Sequence, residues 1–311
     1  MNVVIAGVFP QSSRERIAAC FPAGWQLRIV EPAELPRELA DAEVLIPEHV
    51  PVDAALLEKA PKLRLVQTGA GYDNVDLAAC TARAGQVCSA PNVNADAVAE
   101  HVMAFLLCWY KNILPLDRFL KSRAPESELF YVGAELSEKT IGIVGMGNVG
   151  KKLAACCGAF HMRVLGCSRH PFTLEGVEPR DLTDLCRESD VISLHVPLTA
   201  DTRHLIGAEA LGLMKPDALL INTARGAVID EAALVEALRQ RRIGGACLDV
   251  FEDEPLPVDS PLRELENVIL TPHTAGLPDG VKFHKKRCAY FIRNIERILN
   301  GEPPEGRVNL L

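Results

Sequence analysis

Ten cysteines occur in the 311 residues, yet no two are spaced C-x-x-C. Cys156 and Cys157 are adjacent within a helix-like run, and most of the others sit in apolar surroundings, where a thiol acts as a small hydrophobe. Disulfides are therefore not expected, free thiols in a reducing cytoplasm are, and no Cys/His pair has the spacing of a zinc site. There is no long basic run and the formal net charge is −8, so neither nucleic acid nor an anionic membrane is an expected partner. No apolar run approaches transmembrane length, and Met1-Asn-Val-Val-Ile-Ala-Gly7 is too short and lacks a basic flank for export. Repeats and low-complexity segments are missing too, and a chain stopping at 311 is expected to leave no room for an appended regulatory domain. What is present is 48% apolar and 24% charged residues, ordinary for a globular protein and enough for two cores.

Thr140-Ile-Gly-Ile-Val-Gly-Met-Gly-Asn-Val-Gly150 is the stretch around which the rest is organised. Ile141, Ile143 and Val144 read as a buried strand, and Leu153, Ala154, Cys157 and Phe160 fall at helical spacing over 151–161. Between them lies a G-x-G-x-x-G turn of Gly145, Gly147, Asn148, Val149 and Gly150. Gly145 permits the tight turn, Gly147 lets a phosphate approach the backbone, and Gly150 lets helix and strand pack closely. The first N–H groups of the helix then face an anion. Glycine turns are common; the strand before, the helix after and a second strand at 163–167 make this one a dinucleotide cradle.

Residues 1 to about 95 alternate strands (3–6, 27–30, 44–46, 63–66, 86–88) with helices such as 12–20 and 53–59, a pattern that predicts a parallel sheet covered on both faces. Ala95 to about Leu114 reads as one long helix closed by Pro115, too apolar for one chain to cover. A homodimer through the 95–120 region is therefore expected. Residues 121–138 are polar and irregular. Strands at 163–167, 191–195, 218–222, 246–250 and 268–271, with helices at 181–187, 207–214 and 230–240, form a second sheet. A final helix at about 281–299 returns to the first domain. The fold class is α/β, with two doubly wound parallel-sheet domains: a flavodoxin-like substrate domain (1–95 and 275–311) and a Rossmann cofactor domain (96–274).

Thr68-Gly-Ala-Gly-Tyr-Asp-Asn-Val-Asp76, Val98-Ala-Glu-His101, His195-Val-Pro-Leu198, Ile221-Asn-Thr-Ala-Arg-Gly226, Cys247-Leu-Asp-Val-Phe-Glu-Asp-Glu-Pro-Leu256 and Asn267-Val-Ile-Leu-Thr-Pro-His-Thr-Ala-Gly276 follow one another over residues 65–276. In order and spacing they resemble the D-isomer-specific 2-hydroxyacid dehydrogenase family. The resemblance implies hydride exchange between a nicotinamide cofactor and a 2-keto or 2-hydroxy acid. It makes His273 the proton donor and acceptor, Glu254 the carboxylate that holds it and raises its pKa, and Arg225 the grip on the substrate carboxylate. Singly, each has an ordinary explanation: a structural His, a solvated Arg, one more acid in Glu252-Asp-Glu254. Each also lies just past a strand of a doubly wound sheet, where ligands bind. The resemblance further implies that Gly69, Ala70 and Gly71 bind the substrate, and that His195, Val196, Pro197, Thr223, Ala224, Arg225, Asp249, His273 and Gly276 contact the cofactor. Members oxidising phosphite carry a lysine where this chain has Ala70.

One departure bears on the cofactor. NAD-using relatives place an acid at the end of the second strand; Ser168 and Arg169 stand there, followed by His170. A hydroxyl and a guanidinium suit a 2′-phosphate, so NADP(H) is expected over NAD(H). Trp109-Tyr-Lys111 replaces a usual Arg and Phe130-Tyr131 a usual Trp, which leaves the substrate mouth or dimer contact open. The sequence thus predicts a D-specific 2-keto acid reductase, glyoxylate or hydroxypyruvate being the substrates expected. The alternatives are an NAD-dependent dehydrogenase of another substrate and a dinucleotide-sensing co-repressor-like protein.

Overall fold

The computed structural model describes residues 1–83, 85–130, 132–278, 281 and 283–309. The chain divides into two compact units, one of Met1–Asn94 with Leu277–Leu311 and one of Ala95–Gly276.

The first unit is built on five parallel strands, β1 (Asn2–Ala6), β2 (Gln26–Val30), β3 (Val44–Pro47), β4 (Leu65–Gln67) and β5 (Gln86–Cys88), in the order β2-β1-β3-β4-β5. Val3 to Ala6 and Val44 to Ile46 are fully buried. Such continuous apolar runs, rather than alternation, are what helices on both faces of a sheet require. The helix Lys285–Leu299 joins this core through Phe291, Ile295 and Ile298, which pack with Val3 and Ile5. Two short helices not legible in the sequence, Leu35–Glu38 and Leu77–Ala82, complete the layer. The second begins where the Asp76 carboxylate accepts the Ala79 N–H at 2.9 Å.

The second unit holds seven parallel strands, β6 (Thr140–Val144), β7 (Arg163–Cys167), β8 (Val177–Pro179), β9 (Val191–Leu194), β10 (Leu219–Asn222), β11 (Gly245–Leu248) and β12 (Val268–Leu270). Their order is β12-β11-β10-β9-β6-β7-β8, so the winding reverses between β6 and β9. β8 was not foreseen; three residues ending in proline carry little strand signal.

The expected long helix is two helices, Ala95–Tyr110 and Ile113–Ser122. Pro115 has no N–H and its ring would clash with the preceding turn, so the break falls before it, with Asn112 left-handed at φ 49. Nor is the first helix left uncovered. Val102, Met103 and Leu106 pack against Leu153 and Cys157 inside the same unit, so its apolarity does not by itself call for a second copy. In this region exposed apolar side chains lie further on, at Ile113, Leu120, Leu129, Phe130 and Val132, Phe130 being 87% exposed. Tyr131 lies outside the described residues. The polar stretch 121–138 contains the end of the second helix and short 3-10 turns at Glu126–Glu128 and Leu136–Glu138. Among the described residues no helix is long and apolar enough to cross a membrane.

Candidate active site

The glycine turn joins β6 to a helix that starts at Asn148, three residues earlier than the apolar spacing suggested, and runs to Ala159. Its three glycines differ in what requires them. Gly145 is left-handed at φ +107, and a methyl there would come within 2.7 Å of the His195 carbonyl group. A methyl on Gly150 would lie 2.1 Å from the Gly145 carbonyl oxygen. Among the described residues nothing lies within 4 Å of a methyl added at Gly147, and no side chain caps the helix that follows. No neighbour among the described residues requires a glycine at 147, and the N–H groups of Asn148, Val149 and Gly150 lie in the first turn of the helix, where helix N–H groups lack intrahelical partners.

His195, Val196 and Pro197 follow β9, across the winding reversal from this turn. The His195 N–H donates to the Val144 carbonyl at 2.7 Å, and its Nε2 shares a hydrogen bond of 2.9 Å with Ser193 Oγ. Burial pushes the imidazole pKa down to about 4, so it is neutral near pH 7. Ser168 and Arg169 stand exposed at the end of β7, one residue past Cys167, whose carbonyl accepts the Gly145 N–H. No ion pair holds Arg169 among the described residues.

Thr223, Ala224 and Arg225 leave β10. The fully buried Asn222 shapes this turn: its Oδ1 accepts the Ala224 N–H at 3.0 Å, and its Nδ2 donates to the Arg225 carbonyl at 2.9 Å. Thr223 Oγ1 is buried without a hydrogen-bond partner among the described residues, an unmet demand in a segment expected to hold a cofactor. Beside Arg225, Gly226 lies so close to Phe251 that a methyl would overlap that carbonyl carbon at 1.8 Å. The turn carrying the arginine thus abuts the segment that leads to Glu254.

Glu254 and His273 meet. Nδ1 of His273 and Oε2 of Glu254 are 2.6 Å apart, and Oε1 accepts the Phe251 N–H at 3.2 Å. The carboxylate is therefore held from both oxygens. His273 is left-handed at φ 53, a conformation unusual for a residue with a side chain. Its N–H donates to the Asp249 carbonyl at 2.8 Å and to the Thr271 carbonyl at 3.1 Å.

Asp249 is 1% exposed, and its carboxylate organises the same loop. Oδ1 accepts from Thr271 Oγ1 at 2.6 Å and from the Thr274 N–H at 2.8 Å, while Oδ2 accepts from the Ala275 N–H at 2.9 Å. Gly276 ends the segment. His101 Nε2 reaches Thr271 Oγ1 at 3.1 Å; burial lowers its pKa, against the opposing pull of Asp249. None of these supporting contacts was legible beforehand, although Asn222 and His101 lie inside motifs already noted.

Residues 103–275 match the NAD binding domain of the D-isomer specific 2-hydroxyacid dehydrogenases, a span that includes the glycine turn, Arg225, Asp249, Glu254 and His273. The chain belongs to that family.

Its members are oxidoreductases, and similarity extends beyond the cofactor region. A glyoxylate reductase of Aeropyrum pernix is 40% identical over 269 residues, 83% of this chain and 80% of the relative. A glyoxylate/hydroxypyruvate reductase B of Shigella boydii is 40% identical over 278 residues, 87% of this chain and 85% of the relative. Among solved structures, an acyclic imino acid reductase in complex with NADPH and D-Arg superposes with a TM-score of 0.86 at 31% identity, covering 99% of this chain and all of that one. An NAD(P) binding fold is thus common to the family, and the open Gly147 turn and the unsatisfied Thr223 hydroxyl fit such a group.

The substrate loop foreseen at Gly69, Ala70 and Gly71 belongs to the first unit, directly after β4. Its inner side is tied to β5: the Thr68 N–H donates to the Cys88 carbonyl at 2.8 Å and the Ala90 N–H to the Gly69 carbonyl at 2.8 Å. Trp109 does not stand free. The edge of its indole fills the space a side chain at Gly245 would need, 2.1 Å from where that methyl would be.

Proposed function

We propose that this oxidoreductase reduces small 2-keto acids to D-2-hydroxy acids with NADPH, glyoxylate and hydroxypyruvate being the substrates. The observation that carries the reading is the 2.6 Å contact between Glu254 and His273 beyond the carboxyl edge of the sheet that holds Arg225. With Nδ1 donating to the carboxylate, Nε2 is the nitrogen that delivers a proton to the keto oxygen. Glu254 stabilises the imidazolium and fixes the ring. Arg225 holds the substrate carboxylate and polarises the carbonyl with its planar fork. When bound, the nicotinamide supplies the hydride. The Gly145–Gly150 turn holds the pyrophosphate, with Thr223, Ala224, Asp249 and the His195–Pro197 segment around the rest of the dinucleotide. The loop Gly69–Gly71 takes the substrate carboxylate through backbone N–H groups.

Ser168 and Arg169 support NADP(H), because a hydroxyl and a guanidinium complement a 2′-phosphate that a carboxylate would repel. We assign 1–95 with 275–311 to substrate and 96–274 to cofactor. Exposed Ile113, Leu120 and Phe130 fit burial against a second copy, and ten free thiols fit a reducing cytoplasm.

The test is kcat/KM for a panel of 2-keto acids with each reduced cofactor. The expected result is turnover of glyoxylate and hydroxypyruvate, with NADPH favoured by about tenfold or more. A preference for NADH would overturn the cofactor assignment, and no turnover of any small 2-keto acid would overturn the function.

A further inference from the structure

The loop Thr68–Gly71 rests on side chains more than two hundred residues away in the chain. Arg287, on the helix Lys285–Leu299, is ion-paired with Glu48, which follows β3; their side chains are 11% and 5% exposed. The Arg287 guanidinium carbon stands 5.0 Å from the Phe283 ring centroid and 5.1 Å from that of Phe291, so rings and carboxylate together fix its plane. A methyl on Gly69 would lie 2.9 Å from Arg287 Nη2 and 3.3 Å from Cζ. A side chain at position 69 would have to displace this guanidinium, which Glu48 and the two rings hold.

Two helical turns further along, Asn294 shares the same helix face and supports the same loop. Its Nδ2 donates to Gln67 Oε1 at 2.8 Å, and Gln67 Nε2 donates to the Thr68 carbonyl at 3.0 Å. Both side chains are fully buried. One helix thus braces the loop at two points, by a cation at Gly69 and by an amide relay at Gln67 and Thr68.

We propose that Arg287, locked by Glu48, is a positioning residue that sets the substrate affinity of the Gly69–Gly71 loop. The inference rests on reading that loop as the carboxylate site. It deepens that reading by naming the side chain that holds the loop in its binding conformation. Small displacements of a binding group are costly, which makes such a brace consequential. A buried ion pair is seldom retained for stability, since well-packed apolar replacements are often as stable, and removing only one partner leaves a stranded charge.

The main variant is therefore the charge-balanced Glu48→Gln/Arg287→Met. It is expected to raise KM for glyoxylate about tenfold while kcat and KM for NADPH stay within about twofold. Arg287→Lys, which keeps the charge but not the planar fork, is expected to fall between this variant and the unaltered enzyme. Gly69→Ala is expected to raise the same KM, and to add nothing when combined with Glu48→Gln/Arg287→Met, because both act through one contact. An unchanged glyoxylate KM in the double variant, or an equal loss in kcat and in NADPH affinity, would overturn the proposal. Ala70→Pro deletes a loop N–H and leaves Arg287 alone. A raised KM there with a silent double variant sinks only the role of Arg287, whereas a silent Ala70→Pro sinks the carboxylate-loop reading beneath it.

Discussion

Gly69 and Gly147 both sit in glycine-rich turns past the carboxyl end of a parallel strand, one in each unit, for opposite reasons. At Gly69 the missing side chain makes room for Arg287; at Gly147 it makes room for nothing in the protein. A glycine in a tight contact reports on the fold, whereas the open position at Gly147 is where the proposed function seats the pyrophosphate. Both turns read alike in sequence, and only the neighbours separate them.

Alanine substitutions sharpen that contrast. Gly150→Ala is the most damaging, since its methyl would strike the Gly145 carbonyl; we expect it to destabilise the second unit by about 3 kcal/mol, seen as a lower urea midpoint, and to abolish cofactor binding. Gly147→Ala is expected to leave the urea midpoint unchanged and still raise KM for NADPH by about tenfold or more. A drop in midpoint comparable to that of Gly150→Ala would erase the distinction between a packing glycine and a ligand glycine. Arg169→Ala is expected to weaken NADPH by about tenfold and NADH by less than about twofold, measured as KM values. Equal losses for both cofactors would show that Arg169 does not read the 2′-phosphate.

A pH-linked effect on stability, separate from cofactor binding, concerns His195. Its folded-state pKa is about 4 against an ordinary 6.5. Between those values the unfolded chain binds a proton that the folded chain refuses. The stability His195 contributes is therefore full above pH 6.5 and lost as pH falls toward 4. Urea midpoints measured from pH 7 to pH 4.5 should fall less steeply in His195→Gln; parallel slopes would mean that His195 is not the titrating group.

Much of the second unit was legible because its chemistry sits in contiguous motifs. A strand, a turn and the first residues past the strand are local, so Gly145 to Gly150, Arg225 and the stretch Cys247–Leu256 could be placed before any coordinates. The strands were nearly all visible, since buried parallel strands are short apolar runs. The family pattern implies that Glu254 holds His273, and the two side chains stand 2.6 Å apart. Apolarity over the expected long helix does not mark an uncovered surface, because its face is absorbed by Leu153 and Cys157 in the same unit. The short helix Leu35–Glu38 and strand β8 left too few residues for any periodicity to register. The braces were invisible for another reason. Asn222, Asp249 and Thr271 act through backbone N–H and carbonyl groups, and Arg287 and Asn294 reach a loop far away in sequence; no spacing rule encodes either.

The proposed function depends on a proton delivered by His273. The most direct measurement is single-turnover reduction of glyoxylate by His273→Ala, with the dissociation constant for NADPH determined on the same preparation. The reduction rate should fall by about a thousandfold, within the range that general acid catalysis supplies, while NADPH affinity changes by less than about threefold. A reduction rate equal to that of the unaltered enzyme would contradict it.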